Sequence, residues 1–286
     1  MSSPFDFDRP ARYAVMGNPI RHSLSPRIHA LFAEQTGERL EYLAILVEPG
    51  GFRQAVDQFV AEGGRGINVT VPFKREAYEL ADACSERARR AGAVNTLVVE
   101  GGGLLRGDNT DGVGLVRDLR QNLGWELEGR ELLLVGAGGA ARGVLGPLLQ
   151  ALPRRVVVAN RTPDTAELLA QEFADLGPVS GCGLPELDGE RFDLVVHATS
   201  AGLRGEVPEL PAGLEMAGAA CYDLQYGAGP TPFLRWARER GAARLADGLG
   251  MLVEQAAESF WLWRQVRPET APVLETLRAE LGAGGP

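Results

Sequence analysis

The run "ELLLVGAGGAARGVLGPLLQ", Glu131 to Gln150, limits the possible folds more than any other stretch of the chain. An unbroken apolar segment passes into a glycine turn, and the turn into a helix-length apolar pattern. A strand that is apolar on both faces belongs inside a parallel sheet covered by helices on both sides. The turn reads G-x-G-x-x-A. Gly136 permits the tight bend, Gly138 lets backbone N–H groups approach a pyrophosphate, and small Ala141 lets the helix pack close to the strand. Ala137, Gly139 and Ala140 complete the loop. The N-terminus of the following helix is a natural anion seat. A plain strand-to-helix connection is the alternative, and the strand before and the helix after favour a dinucleotide.

The same alternation runs through most of the chain. "RYAVMG", "LEYLAILVE" and "GINVTVPF" read as strands. "SPRIHALFAEQTG", "GFRQAVDQFVAEG" and "KREAYELADACSERARRAG" read as helices, the last as a single one. "AVNTLVVEGGGLLRGDNTDG" reads as a hairpin with a glycine-rich turn, and "VGLVRDLRQNLG" as a helix. Beyond the glycine loop, "RVVVANRT", "FDLVVHATS" and "AACYDLQYG" are strands, "DTAELLAQEFADLG" is a helix, and the C-terminal part is helical. Units of this length imply an α/β fold with mainly parallel sheets. The break lies near residues 108–114, with a first α/β domain before it and a nucleotide-binding domain after it.

With 286 residues, 45% of them hydrophobic and 23% charged, the chain can bury a sizeable core. Its net charge of −9 argues against non-specific nucleic-acid binding, which needs a basic surface. No run of about 18 apolar residues suggests a membrane span. The start, "MSSPFDFDRPARY", is polar and acidic and does not read as a signal peptide. Cys84, Cys182 and Cys221 are scattered and lack metal-ligand spacing, so free thiols of a cytoplasmic protein are expected. His22 and His29 have no ligand partners in sequence and read as structural, and no metal is expected.

The strand after the glycine loop ends "ANRT". An NAD site usually carries Asp or Glu there for the ribose 2′-hydroxyl. Asn160 and Arg161 occupy the place instead, and a guanidinium suits a 2′-phosphate. NADP is therefore expected over NAD. The bland alternative is a solvated arginine in the turn before Pro163.

Of the 29 basic side chains, all but Lys74 are arginine. Arginine stays charged near neutral pH, whereas lysine can exchange a proton. The single lysine follows the strand "GINVTVPF", and ligands of α/β sheets sit at carboxyl ends of strands. A carboxylate should accompany it. Asp111 in "GDNTDGVG" is the candidate, with a helix N-cap or turn role as the alternative. Ser23 and Ser25 in "RHSLSP" can cap the helix that begins at Pro26, and hydroxyls at a helix N-terminus also suit a substrate carboxylate.

Together the motifs "GNPIRHSLSP", "NVTVPFK", "GAVNTL", "GDNTDGVG", "GAGGAARG", "NRT", "ATSAG", "YDLQYGAGPTPFL" and "DGLGMLVEQAA" resemble the shikimate dehydrogenase family over nearly the whole chain. The resemblance implies reversible NADPH-dependent reduction of 3-dehydroshikimate to shikimate, on the route to chorismate and the aromatic amino acids. It implies Lys74 and Asp111 as a catalytic pair, Lys74 exchanging the hydroxyl proton. Ser23, Ser25 and Tyr226 would hold the substrate carboxylate; Thr70, Asn95 and Gln255 would bind ring hydroxyls. Asn160, Arg161 and Thr162 would take the adenosine 2′-phosphate end, and Thr199, Leu224, Gly248 and Gly250 would line the rest of the cofactor site. The substrate domain would comprise residues 1–111 and 248–286 and the Rossmann-type NADP domain residues 112–247, in a monomer or homodimer.

Four positions depart from the family pattern. His197 stands where Asn is usual, and Leu224 where Met is frequent. Asp164 follows Arg161 in place of a second basic residue, and Arg204 is added in a loop near the cofactor. The third departure keeps an NAD-using quinate/shikimate dehydrogenase open as an alternative. A non-catalytic metabolite-sensing module on the same fold is the other.

Overall fold

The computed structural model describes residues 10–199, 207 and 209–283. The chain divides into two compact units, Met1–Thr110 with Ala256–Val273 and Asp111–Gln255 with Leu274–Pro286.

The first unit is built on a sheet of order β2-β1-β3-β5-β6-β4. Its strands are β1 (Ala11–Gly17), β2 (Leu40–Leu46), β3 (Gly64–Val69), β4 (Ala83–Cys84), β5 (Thr96–Val99) and β6 (Leu105–Asp108). β1 runs parallel to β2 and β3, while β5 is antiparallel to both β3 and β6. The β5–β6 pair is the hairpin expected around the glycine-rich turn. Helices α1 (Ser25–Thr36), α2 (Phe52–Ala61), α3 (Lys74–Leu80) and α4 (Glu86–Ala91) connect the strands. α1 starts at Ser25, with Leu24 in the cap position, so Ser25 is not the cap, whereas Ser23 Oγ accepts from the Ser25 N–H at the helix start at 3.3 Å. It stops at Gly37, whose φ of +70° lies in the left-handed region that glycine tolerates.

The stretch 74–92 departs from the single helix expected. α3 ends at Leu80, a short strand pairs parallel with β6, and α4 begins after Ser85. Side chains that look like helix polar residues serve as local anchors. Asp82 Oδ2 accepts from the Leu105 N–H at 2.7 Å, and Ser85 caps α4 by accepting from the Ala88 N–H at 3.2 Å. Such side-chain bonds offer the backbone an alternative to the helix ladder.

The second unit carries a parallel sheet of order β12-β11-β10-β7-β8-β9. Helix α5 (Asp111–Arg117) leads through a π-helical turn, Asp118–Asn122, to β7 (Glu131–Val135), α6 (Gly139–Gln150), β8 (Arg155–Asn160) and α7 (Pro163–Phe173). Then follow β9 (Val179–Gly183), β10 (Leu194–His197), β11 (Ala220–Asp223), α8 (Pro232–Glu239) and β12 (Arg244–Asp247). Leu132 to Val135 are all buried, as a strand covered on both faces requires. β9 and β12 are additions to the sequence reading. α5 lies against α6 at Gly112, where a Cβ would come within 2.5 Å of the Gly143 carbonyl oxygen. Helix α9 (Leu249–Arg264) passes from the second unit into the first after Gln255, and α10 (Ala271–Ala283) returns to the second after Val273. Among the described residues no helix is long and apolar enough to cross a membrane.

Candidate active site

In the first unit the candidate residues gather at the carboxyl ends of β1 and β3. Ser23 and Ser25 follow β1, and Thr70 and Lys74 follow β3. Backbone bonds tie the two loops, with the Asn18 N–H donating to the Val71 carbonyl at 2.9 Å and the Thr70 N–H to the Met16 carbonyl at 3.0 Å. The Thr70 methyl packs on Gly17, where a Cβ would lie 2.4 Å from it. Antiparallel β5 brings Asn95 to the same end. Its carbonyl accepts from the Val69 N–H, and the neighbouring Val94 N–H donates to the Lys74 carbonyl, both at 2.8 Å. Lys74 is the first residue of α3 and is half-buried.

Beneath these groups lies a buried polar lattice. Tyr42 shares a hydrogen bond with Ser25 and donates at 2.7 Å to Asn68 Oδ1. Asn68 Nδ2 donates to Ser259 Oγ at 3.0 Å and to Thr96 Oγ1 at 3.1 Å. Thr96 Oγ1 lies 2.9 Å from Asn95 Oδ1, and the Thr110 N–H donates to that same oxygen at 2.9 Å. Burial pushes the Tyr42 hydroxyl well above the usual tyrosine range, so it remains a donor. The lattice thus runs from Ser25 to Asn95. Tyr42, Asn68, Thr96 and Ser259 are absent from the sequence-derived list. Asn68 gave a signal, a polar residue within the apolar run "GINVTV", but Ser259 is 191 residues away from it.

A second anchor holds the "GDNTDG" segment. Asp108 accepts from Arg87 Nε at 2.6 Å and Nη2 at 2.9 Å, from Ser85 Oγ at 2.6 Å and from the Asn109 N–H at 2.7 Å. Arg87 also donates to Glu258 at 3.1 Å. Asp111 follows directly as the first residue of α5 and is buried.

In the second unit the candidate cofactor residues line the carboxyl end of the parallel sheet. Gly136 follows β7 with φ +114°, and a Cβ there would meet the Ala198 carbonyl and the Thr199 methyl at 3.1 Å. Ala137 is buried, while Gly138, Gly139 and Ala140 are exposed. Gly138 is the cap residue of α6 and no side chain caps that helix. A Cβ built on Gly138 or Gly139 meets nothing within 4 Å. Open backbone N–H groups at a helix start are what a pyrophosphate requires, so the residues present fit a dinucleotide. Asn160 closes β8 and donates to the Thr162 carbonyl at 3.1 Å; Arg161 and Thr162 are exposed beside it. Thr199 and Leu224 follow β10 and β11. Gly248 lies against Leu224, whose carbonyl a Cβ would approach to 2.2 Å, and a Cβ on Gly250 would come within 2.0 Å of Asp118 Oδ1. Tyr226 is in the same unit; burial and then the Asp247 charge raise its hydroxyl above the usual tyrosine range. Gln255 packs on Gly114 of α5 and donates to the Leu252 carbonyl at 3.0 Å. Arg204 lies outside the described residues.

The three departures within the described residues have different surroundings, and Asp164 is exposed in the first turn of α7. His197 is fully buried between Asp223 and Thr199, with bonds of 2.9 and 2.7 Å. Leu224 is partly buried against the sheet core. Among the described residues no cluster of three or more His, Cys, Asp or Glu side chains could hold a metal.

The fold and these two sheet ends define an α/β protein of the dehydrogenase type, a mixed-sheet unit joined to a Rossmann-type unit. The sequence matches three family descriptions: "Shikimate dehydrogenase substrate binding domain" over residues 15–97, "Shikimate / quinate 5-dehydrogenase" over 118–204, and "Shikimate 5'-dehydrogenase C-terminal domain" over 248–278. It is 59% identical to "Shikimate dehydrogenase (NADP(+))" of Methylococcus capsulatus, covering 95% of this chain and 98% of the relative. A crystal structure of an enzyme from Pseudomonas putida superposes with a TM-score of 0.88 at 51% identity, covering 93% of this chain and 98% of that one. The shikimate 5-dehydrogenase of Thermus thermophilus, solved with NADP(H) and shikimate, gives 0.83 at 36% identity, covering 95% and 100%. The chain belongs to the shikimate dehydrogenase family.

Proposed function

We propose that the protein is an NADP-dependent shikimate dehydrogenase, interconverting 3-dehydroshikimate and shikimate in chorismate and aromatic amino acid biosynthesis. The observation that carries this reading is the meeting of Ser23, Ser25, Thr70, Lys74 and Asn95 at one sheet end in a chain so similar to relatives of that name. Hydroxyls at the start of α1 suit the ring carboxylate, and Thr70 and Asn95 suit ring hydroxyls.

When bound, NADPH supplies the hydride for the reduction. Gly136, Gly138 and Gly139 would hold its pyrophosphate by backbone N–H groups, and Arg161 its 2′-phosphate. Lys74 Nζ donates a proton to the substrate carbonyl oxygen as that oxygen gains charge, and takes it back in the reverse direction. Asp111 is assigned as the carboxylate of the reaction, orienting the lysine and accepting a substrate hydrogen bond. Gln255 and Tyr226 complete the substrate contacts, and Thr162, Asn160, Leu224, Thr199, Gly248 and Gly250 those of the cofactor. The acidic surface and scattered thiols favour a cytoplasmic protein that does not bind nucleic acid, as a monomer or homodimer.

Lys74→Ala tests the assignment. Shikimate oxidation should fall by about 10³-fold, within the range for losing a general acid–base group. NADP affinity, read by calorimetry, should stay within about twofold, since the cofactor seat lies in other residues. Near-normal turnover would remove Lys74 from the mechanism.

A further inference from the structure

We propose that His197, held by Asp223, is a positioning residue that turns the Thr199 hydroxyl proton away from the cofactor seat, so that Thr199 meets the cofactor as a hydrogen-bond acceptor. This rests on the NADP-dependent reading above and deepens it.

The chain of bonds gives the direction. Asp223, at the end of β11, is fully buried. Its Oδ2 accepts from Thr231 Oγ1 at 2.6 Å, and its Oδ1 from the Gln225 N–H at 3.1 Å. His197 Nδ1 lies 2.9 Å from Oδ1. A carboxylate only accepts, so Nδ1 carries the ring proton. We take the ring in its neutral form, which presents a lone pair at Nε2, 2.7 Å from Thr199 Oγ1. The hydroxyl has one proton, and it is donated to Nε2. Every other hydrogen bond at that oxygen is one that Thr199 accepts. Stacking on Phe233, with ring centroids 4.8 Å apart, fixes the plane of the imidazole.

The place of Thr199 gives the consequence. Its methyl lies 3.1 Å from the position of a Cβ on Gly136, beside the turn of the glycine loop. A dinucleotide offers donors of three kinds, ribose hydroxyls, the carboxamide N–H₂ and the adenine amino group. Pyrophosphate oxygens only accept and cannot satisfy this group. An Asn at position 197 would reach Asp223 in place of Nδ1 but would stop short of Thr199, leaving the hydroxyl able to rotate. The histidine therefore sets the polarity of Thr199 from a position that does not itself touch the ligand.

The first test needs no turnover. Long-range ¹H–¹⁵N correlation spectra of histidine-labelled full chain, which has 3 histidines, read the tautomer directly, with His197→Asn to assign the signal. A neutral ring protonated at Nδ1 is expected; an Nε2–H or doubly protonated ring overturns the proposal. The second test is NADP affinity by calorimetry. Thr199→Val should weaken binding about tenfold, as loss of one hydrogen bond would. Thr199→Ser should stay within about twofold of wild type, because it keeps the hydroxyl. His197→Asn should weaken binding by a smaller factor, and the double variant His197→Asn/Thr199→Val should match Thr199→Val alone. Losses that multiply, or a Thr199→Val protein with unchanged affinity, overturn it. A wild-type protein that binds NADP but leaves shikimate unoxidised sinks the proposed activity and spares this inference. One that binds no NADP sinks both.

Discussion

The two candidate seats are built from opposite materials. In the second unit the glycine loop works by lacking side chains; Gly138 and Gly139 leave open space above the start of α6. In the first unit the seat rests on side chains held by other side chains, from Ser25 through Tyr42, Asn68 and Thr96 to Asn95. A backbone seat is harmed by adding atoms to it. A side-chain lattice is harmed by deleting atoms beneath it, some distance from any ligand.

Among changes that probe this contrast, adding atoms to the backbone seat should have the largest effect. Gly136→Val forces a β-branched residue to φ +114° and drives its Cβ into the Ala198 carbonyl and the Thr199 methyl at 3.1 Å. Left-handed strain of about 1–2 kcal/mol plus this crowding should weaken NADP binding by roughly 100-fold. Shikimate affinity, measured by calorimetry without cofactor, should hold. Equal losses for both ligands would dissolve the distinction between the seats.

The exposed rim of the second unit is the exception to its rule, because there a side chain is asked to act. Arg161→Ala should lower kcat/KM for NADP by about 30-fold, the loss of a charge-assisted hydrogen bond, and leave that for NAD within about twofold. Parallel losses for the two cofactors would return Arg161 to the status of a solvated turn residue.

Deleting an atom under the first seat should cost less. Ser259 Oγ is buried, 3.0 Å from Asn68 Nδ2 and 2.8 Å from Thr96 Oγ1. Ser259→Ala leaves one fewer partner for each and should lower the stability of the full chain by about 1–2 kcal/mol in urea unfolding. Shikimate binding should weaken severalfold, with NADP binding unchanged. Unaltered shikimate affinity would show that the lattice is a core feature only.

The same contrast explains what could be read from the sequence. The glycine loop is contiguous, so strand, turn and helix start lie in one short string. The family likeness and the α/β architecture were legible for that reason. The lattice joins Asn68 to Ser259 across 191 positions, and spacing carries no trace of it. β9 was missed because "VSGCG" looks like a turn. Its Gly181 is needed instead for packing, since a Cβ would come within 2.3 Å of the Glu167 amide on α7. β12, "RLAD", is an edge strand too short to show a period. The break at 81–85 was hidden because Asp82 and Ser85 bond outward to β6 and to the start of α4, partners a helical reading does not supply.

The smallest effect concerns His29, which the sequence marked as structural. It sits on α1, fully buried, stacked on Tyr42 with centroids 4.2 Å apart and planes at 8°, and edged by Phe32, Phe260 and Trp263. Neither ring nitrogen has a hydrogen-bond partner. Burial lowers its pKa from 6.5 to about 3, while Asn68, close by but outside hydrogen-bond geometry, opposes the shift. The folded state therefore keeps the ring neutral across that window while the unfolded chain takes up a proton. Stability must fall as pH drops from 6.5 toward 3, by at most about 1.4 kcal/mol per pH unit from this group. Facing Tyr42 does not titrate there, because burial holds its hydroxyl well above the usual range. His29→Phe keeps an aromatic ring in the stack and removes the proton site. Its stability relative to wild type should rise steadily from pH 7 to pH 5 in urea unfolding, by about 1–2 kcal/mol in total. NADP affinity at pH 7 should not move, because the second unit's seat owes nothing to this stack. A constant offset across that pH range would mean the ring is protonated inside the folded protein, and the dry aromatic packing around it would have to be redrawn.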